Sequence, residues 1–195
     1  MARVVDHTRE CRVEESTWGP DASYVDTDPS LQGIRALFAF RPETAVPMRA
    51  LAQQLLRGPS PLSSGDRELI ATYVSARNRC HFCASSHGGA ATALLDGDEM
   101  TRRVFAGEDM AVVDKLTALL AVAAAIQRGG QALEPEIVAA AREHGVTDIE
   151  LHDAVLIAAA FSMYNRYVDG LRPHVPDDEG LYAVMGERLA SGGYA

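Results

Sequence analysis

The sequence has little of what marks a secreted, membrane-spanning or nucleic-acid-binding chain. Its 195 residues contain three cysteines, too few for a secreted disulfide framework. The longest apolar stretches surround residues 116–126 and 154–161, and both fall short of the roughly 18 residues that a membrane span needs. Met1 to Glu15 mix both charge signs and show no secretory signal. Lys and Arg number 18 against 27 Asp and Glu, for a net charge of −9. Phosphate binding needs clustered cations, so this balance excludes a nucleic-acid surface. No segment alternates with period two, so strands are not expected. These absences lead to the expectation of a soluble, cytoplasmic protein with neither a membrane nor a nucleic acid as partner.

What remains is ordinary globular material, 47% hydrophobic and 23% charged, with enough length to bury a core without disulfides. Residues 1–27 are polar and irregular and read as an N-terminal arm, ordered only by packing. Trp18 and Tyr24 within it are expected to pack on a neighbouring subunit. Residues 28–195 read as a single all-helical domain. Leu31, Ile34, Leu37 and Phe38 share a helical face, and Pro42 ends or kinks that segment. Further helices are expected over Ala45–Leu56, from Asp66 with Ser64 as N-cap, and from Cys80 to about Leu95. Asn78 is the expected left-handed cap between the last two. Others cover Asp114–Gln127, a segment from Pro135 closed by Gly145, a run from the capping box Thr147–Glu150 to about Leu171, and Glu179–Ala190.

The chemistry concentrates between residues 68 and 87. Cys80 and Cys83 form the one CxxC, which in a reducing compartment reads as redox or metal chemistry. Cys11, alone in a polar segment, reads as an incidental thiol. On a helix, Cys80, Cys83 and His87 lie within about 60° of one another, a single stripe. On one unbroken helix Glu68 would sit about 18 Å from Cys80, but a hairpin turning near Asn78 brings Glu68 level with His87. The first turn of a helix favours a thiolate, His87 can accept the thiol proton, and Glu68 can orient or balance the imidazole. Residues three apart also satisfy the ~4.4–6.8 Å Cα separation of a disulfide. Position alone leaves open which thiol attacks, since Cys80 is nearer the helix start while Cys83 has the histidine one turn on. The alternatives are a zinc-binding or redox-sensing helical protein. No second Cys or His pair completes a structural zinc set, and no strand precedes the CxxC as in a thioredoxin-like unit.

Glu68, eleven residues, Cys80-x-x-Cys83, three residues and His87 together resemble the alkylhydroperoxidase-D core motif of the carboxymuconolactone decarboxylase family, most of all its peroxidase-related members. The later stretch Ala158–Arg166 is similar to that family's following helix, in which an Asn-Arg pair recurs. The resemblance covers roughly residues 40–175. It implies an all-α helical bundle with the CxxC at a helix N-terminus in an antiparallel hairpin. It implies a cofactor-free, metal-free peroxidase acting on hydroperoxides, assembled as homo-oligomers, trimers or their multiples. It further implies that Cys83 becomes the sulfenic acid, that Cys80 is proton donor and resolving thiol, and that Glu68 and His87 form a proton relay. A disulfide formed this way needs an external dithiol reductant, of dihydrolipoamide or thioredoxin type. In alkylhydroperoxidase D proper a second histidine directly precedes the second cysteine. Phe82 holds that place here, and His81 lies about 100° round the helix from it. Arg166, on a mostly apolar helix, is ambiguous: if buried it should be paired, and a structural ion pair is favoured over direct substrate contact; His7, His144, His152 and His174 are assigned no role.

Overall fold

A computed structural model of the protein describes residues 23–95, 97–108 and 110–194. Among them are nine α-helices, one short 3-10 turn and no strand. The helices are α1 (Ile34–Phe40), α2 (Pro42–Arg57), α3 (Ser64–Arg77), α4 (His81–Leu94), α5 (Glu99–Phe105), α6 (Lys115–Arg128), α7 (Pro135–Glu143), α8 (Asp148–Leu171) and α9 (Glu179–Gly192). None of them is long and apolar enough to cross a membrane. The expected arm, with Cys11, His7 and Trp18, lies outside the described residues up to position 22. Of its remainder, Tyr24 bonds through its backbone N–H to the Leu171 carbonyl at 3.0 Å, and its ring lies against the Arg172 guanidinium of the same chain.

The middle of the molecule is α3. It is buried on every side, with Leu69, Ile70, Ala71, Val74 and Ala76 completely so, and its buried residues include the polar Arg67, Glu68, Thr72 and Ser75. It lies against α4, α6 and α8. Helix α8 starts from a complete capping box, in which Thr147 and Glu150 bond each other's backbone N–H groups. Helix α6 uses the same device with Asp114 and Thr117. The α3 cap is Ser63, one residue before the expected Ser64; its hydroxyl accepts the Asp66 N–H at 3.0 Å. Pro42 opens α2, so this helix begins three residues earlier than its apolar pattern suggests; proline costs nothing at a position whose N–H has no helical partner. Helix α5 was not expected, because seven residues are too few to show a period.

The turn from α3 to α4 departs from expectation in an informative way. The left-handed residue is Arg79, at φ 59, while Asn78 stays right-handed. The Arg79 N–H bonds the Ala76 carbonyl and the Cys80 N–H bonds the Ser75 carbonyl, the two reciprocal bonds of a Schellman motif. Asn78 gives its side chain to the core instead. Its amide donates to Asn165 Oδ1 at 2.8 Å and its carbonyl accepts from Gln127 Nε2 at 2.9 Å. Asn165, fully buried, donates in turn to Ser75 Oγ at 3.0 Å. Three helices thus hold the turn that presents the cysteines.

Helix α9 crosses α4 at two glycines. A β-carbon added to Gly186 would stand 2.3 Å from the Gly89 carbonyl carbon and 2.6 Å from the Ala90 nitrogen, both backbone atoms that cannot swing away. The approach seats the residues after α9 over the face of α4 that carries His87. Gly186→Ala is therefore expected to force the two helices apart and to cost about 1–3 kcal/mol, as overpacking does. Urea denaturation checks it, and a variant as stable as the wild type would show that the crossing tolerates a wider spacing.

Candidate active site

Residue by residue, the hairpin does what its spacing suggested. Cys80 is the N-cap of α4, with extended backbone (φ −86, ψ 91), and Cys83 and His87 follow on the helix. Both cysteines are free and buried. Across the hairpin, Glu68 Oε2 stands 2.8 Å from His87 Nδ1. Glu68 and His87 thus face each other, with Cys83 one turn before His87 on α4 and lining the same cavity.

The Glu68 carboxylate is completely buried, and its compensation comes partly from residues that no motif named. Arg57 Nη2, at the end of α2, donates to Oε1 at 2.6 Å. Tyr194, beyond α9, donates its hydroxyl to the same oxygen at 2.6 Å. Burial alone would push this carboxyl up; His87, Arg57 and Tyr194 outweigh it and hold Glu68 below the usual glutamate range. Arg57 also donates to the Leu189 carbonyl at 2.9 Å and lies over the Tyr194 ring, which stacks on the His87 imidazole at a 14° interplanar angle. Burial, and then the charge on Glu68, push the Tyr194 phenol well above its usual value, so it stays a proton donor.

An ionised carboxylate only accepts, which assigns the tautomer of His87: Nδ1 carries the proton toward Glu68, and Nε2 is the basic nitrogen. Phe161 meets the imidazole edge-on at 4.6 Å between centroids and fixes its plane. A histidine held this way is a base of set orientation, the arrangement that general-base activation of a nucleophile requires.

The two thiols sit in different surroundings. Cys80 is completely buried in a small cluster to which Cys83, 3% exposed, also belongs, with Phe82, Val168, Val175 and Tyr182. Its thiol is hydrogen-bonded to Cys83 and to the Asp169 carboxylate. The Cys83 bond first, then burial, then Asp169 push Cys80 well above the ordinary thiol range. Burial raises Asp169, partly offset by its bond with Cys80. Cys83, by contrast, lines a cavity of about 220 Å3 together with Phe82, Ser86, His87 and Phe161. Phe82 reaches this wall because Gly33, at φ 56, leaves room for its ring; a β-carbon there would lie 2.0 Å from Phe82 Cζ. His81 points elsewhere, to Glu179 at 3.1 Å and against the Tyr182 ring, and does not take the missing histidine's place.

Arg166 does not line the cavity. It is exposed and donates only to the Ser162 carbonyl of its own helix at 2.7 Å, because position 166 faces outward while its neighbour Asn165 faces in. The residues missed by sequence reasoning are Arg57, Tyr194, Asp169 and Ser86. Asp169 could have been found, since it lies four residues after Asn165 on the same face of a helix expected to pack here. Ser86, one turn after Cys83 on the same helix, could have been found in the same way, whereas Arg57 and Tyr194 carry no local signal. Among the described residues no group of three or more His, Cys, Asp or Glu side chains is arranged to hold a metal ion.

With this geometry in place, the likenesses to known proteins take on meaning. Residues 42–112 match the model of the carboxymuconolactone decarboxylase family. The solved structure of an uncharacterized peroxidase-related protein from Silicibacter sp. TM1040 superposes with a TM-score of 0.68 at 25% identity, over 77% of this chain and 78% of that one. A second, the alkylhydroperoxidase AhpD core of an uncharacterized peroxidase-related protein from Ralstonia eutropha JMP134, superposes with a TM-score of 0.69 at 24% identity, over 78% and 80%. No curated protein sequence matches the chain.

The buried carboxylate generates a prediction with a definite sign. A carboxyl held low in the fold stabilises it above the unfolded value and loses that contribution as pH falls through the lowered one. At neutral pH, Glu68→Gln leaves Arg57 without its counter-charge and is expected to cost about 3–5 kcal/mol. The difference from wild type should shrink once pH falls below the ordinary glutamate value of about 4.3. Urea titrations of both proteins from neutral to acid pH check this; a difference independent of pH would mean that Glu68 is not ionised in the fold.

Proposed function

We propose that this chain, an alkylhydroperoxidase-D-like protein of the carboxymuconolactone decarboxylase family, is a cofactor-free peroxidase that reduces hydroperoxides through Cys83 and Cys80. The observation that carries the reading is the asymmetry of the pair. Cys83 opens on the cavity beside His87, while Cys80 lies behind it, fully buried and protonated. His87 Nε2 takes the Cys83 proton, and Glu68, with Arg57 and Tyr194, balances the imidazolium that results. The Cys83 thiolate attacks the peroxide oxygen distal to the organic group. The O–O bond breaks, Cys83 becomes a sulfenic acid, and the departing alkoxide takes the proton from His87 to leave as an alcohol. Cys80 then attacks the Cys83 sulfur, and the sulfenic hydroxyl leaves as water. Asp169 accepts the Cys80 proton in this step and passes it to the leaving hydroxide. An external dithiol, of dihydrolipoamide or thioredoxin type, reduces the Cys80–Cys83 disulfide and is itself oxidised.

The test is thiol titration with peptide mapping after one equivalent of hydroperoxide. Cys83→Ser should abolish peroxide consumption, and Cys80→Ser should leave a sulfenic acid on residue 83 that dimedone traps. A dimedone adduct on Cys80 in the Cys83→Ser variant, with peroxide still consumed, would reverse the roles. Thiols that stay free in the wild type would remove the peroxidase reading altogether. Asp169→Asn should leave sulfenic acid formation at its wild-type rate and slow disulfide closure by about 10²-fold, the usual weight of a lost general base. Stopped-flow measurement of the two phases separates them, and equal slowing of both would make Asp169 a structural residue only.

A further inference from the structure

The cavity in front of Cys83 has a wall, a floor and a rim of different chemistry. Its wall is apolar, with Phe82, Phe161 and Met185 contributed by three helices. Its floor holds Ser86, three residues after Cys83, whose hydroxyl is buried without a hydrogen-bond partner among the described residues. A buried, unpartnered hydroxyl lining a cavity beside a nucleophile is a group left open for a ligand, since such atoms are ordinarily satisfied. Its rim is cationic. Arg35 of α1, Arg49 of α2 and Arg188 of α9 all line the opening, all are exposed, and no acidic residue lines it. None of the three has a carboxylate partner among the described residues. The cation nearest to being occupied is Arg49, which lies over the Phe38 ring at 5.4 Å.

In a chain of net charge −9, three guanidiniums without a carboxylate partner among the described residues, and no acidic side chain, line one opening. A hydrogen peroxide site needs neither an apolar wall nor a cationic rim. Resting on the peroxidase reading above, we propose that the substrate is an amphipathic organic hydroperoxide bearing a carboxylate, of the fatty-acid hydroperoxide class. The peroxide end sits at the floor, where Ser86 donates its free hydroxyl to the oxygen that leaves. The hydrocarbon lies along the aromatic wall, and the carboxylate reaches the arginines at the rim, which suit planar anions through bidentate bonds. Ser86 here positions and stabilises the leaving oxygen, whereas the arginines select the substrate.

The experiment separates ligand class from chemistry by using non-peroxide probes first. Calorimetric titration of the full chain with octanoate and with 1-octanol compares the same hydrocarbon with and without the anion. Octanoate is expected to bind about tenfold tighter, the factor that corresponds to 1.4 kcal/mol. Raising the ionic strength should erode that margin. A triple variant Arg35→Gln, Arg49→Gln, Arg188→Gln should abolish it, while the control Arg128→Gln, on an exposed residue away from the cavity, should keep it. A second measurement compares thiol oxidation by a hydroperoxy fatty acid and by its methyl ester, and the acid should react faster by a similar factor. Equal binding of octanoate and 1-octanol, or a margin that survives the triple replacement, overturns the proposal. Preferential octanoate binding without oxidation by any hydroperoxide upholds the ligand class and overturns the peroxidase reading.

Discussion

Everything at this site depends on keeping one carboxylate charged where water cannot reach it. Glu68 is fully buried, and an ion in that position is tolerated only when donors surround it. The fold supplies three from widely separated parts of the chain: His87 from across the hairpin, Arg57 from α2 and Tyr194 from beyond α9. Arg57 cancels the charge, Tyr194 fills the same oxygen, and His87 is left to answer the second oxygen with its Nδ1 proton. The consequence is an imidazole of one tautomer and one plane. Catalytic bases need both, and here they follow from solvation of a buried ion.

The cysteine pair is organised by the opposite means. Around Glu68 the protein gathers donors; around Cys80 it gathers hydrocarbon and one further carboxylate. The bond with Cys83, then burial, then Asp169 push that thiol well above the ordinary range. The two sulfurs are three residues apart and share one buried cluster, yet only Cys83 lines the cavity. Such a division of labour does not require different residue types. It requires that the helix begin at Cys80, which the Schellman turn at Arg79 and the anchoring of Asn78 to Asn165 and Gln127 enforce.

Much of this was legible in the residues themselves, because it is local. The Glu68, Cys80, Cys83 and His87 spacing predicts a hairpin and a facing acid and base, and the fold has them. The all-α class follows from periodicity and caps, down to the Thr147–Glu150 box. What could not be read has a common cause, which is dependence on distant partners. Arg57 before Gly58 looks like any basic residue in the last turn of a helix. Tyr194 follows two glycines and belongs to no periodic pattern. Asn78 is a reasonable left-handed cap by propensity, but its amide finds better partners on α6 and α8, and the strained conformation falls to Arg79. By sequence Arg166 is ambiguous, since its helix is mostly apolar. The helix turns the adjacent Asn165 inward instead, and a polar group that short can be satisfied completely by Ser75 and Asn78.

The link between Tyr194 and Glu68 spans 126 positions of the sequence, and this has a bearing on how the protein matures. A contact of that separation pays its loop-closure entropy before it returns any stabilisation, so it belongs to the slow end of assembly. Synthesis runs in the same direction: the hairpin with both thiols leaves the ribosome long before α9 does. Until α9 settles on the glycine crossing at Gly89 and Gly186, the imidazole lacks its stacking partner and the carboxylate lacks a donor. The newborn chain therefore passes through a period in which the hairpin exists but the surroundings of Glu68 and His87 are incomplete. Of the described helices α9 is the last in the sequence, and its docking completes the surroundings of Glu68 and His87.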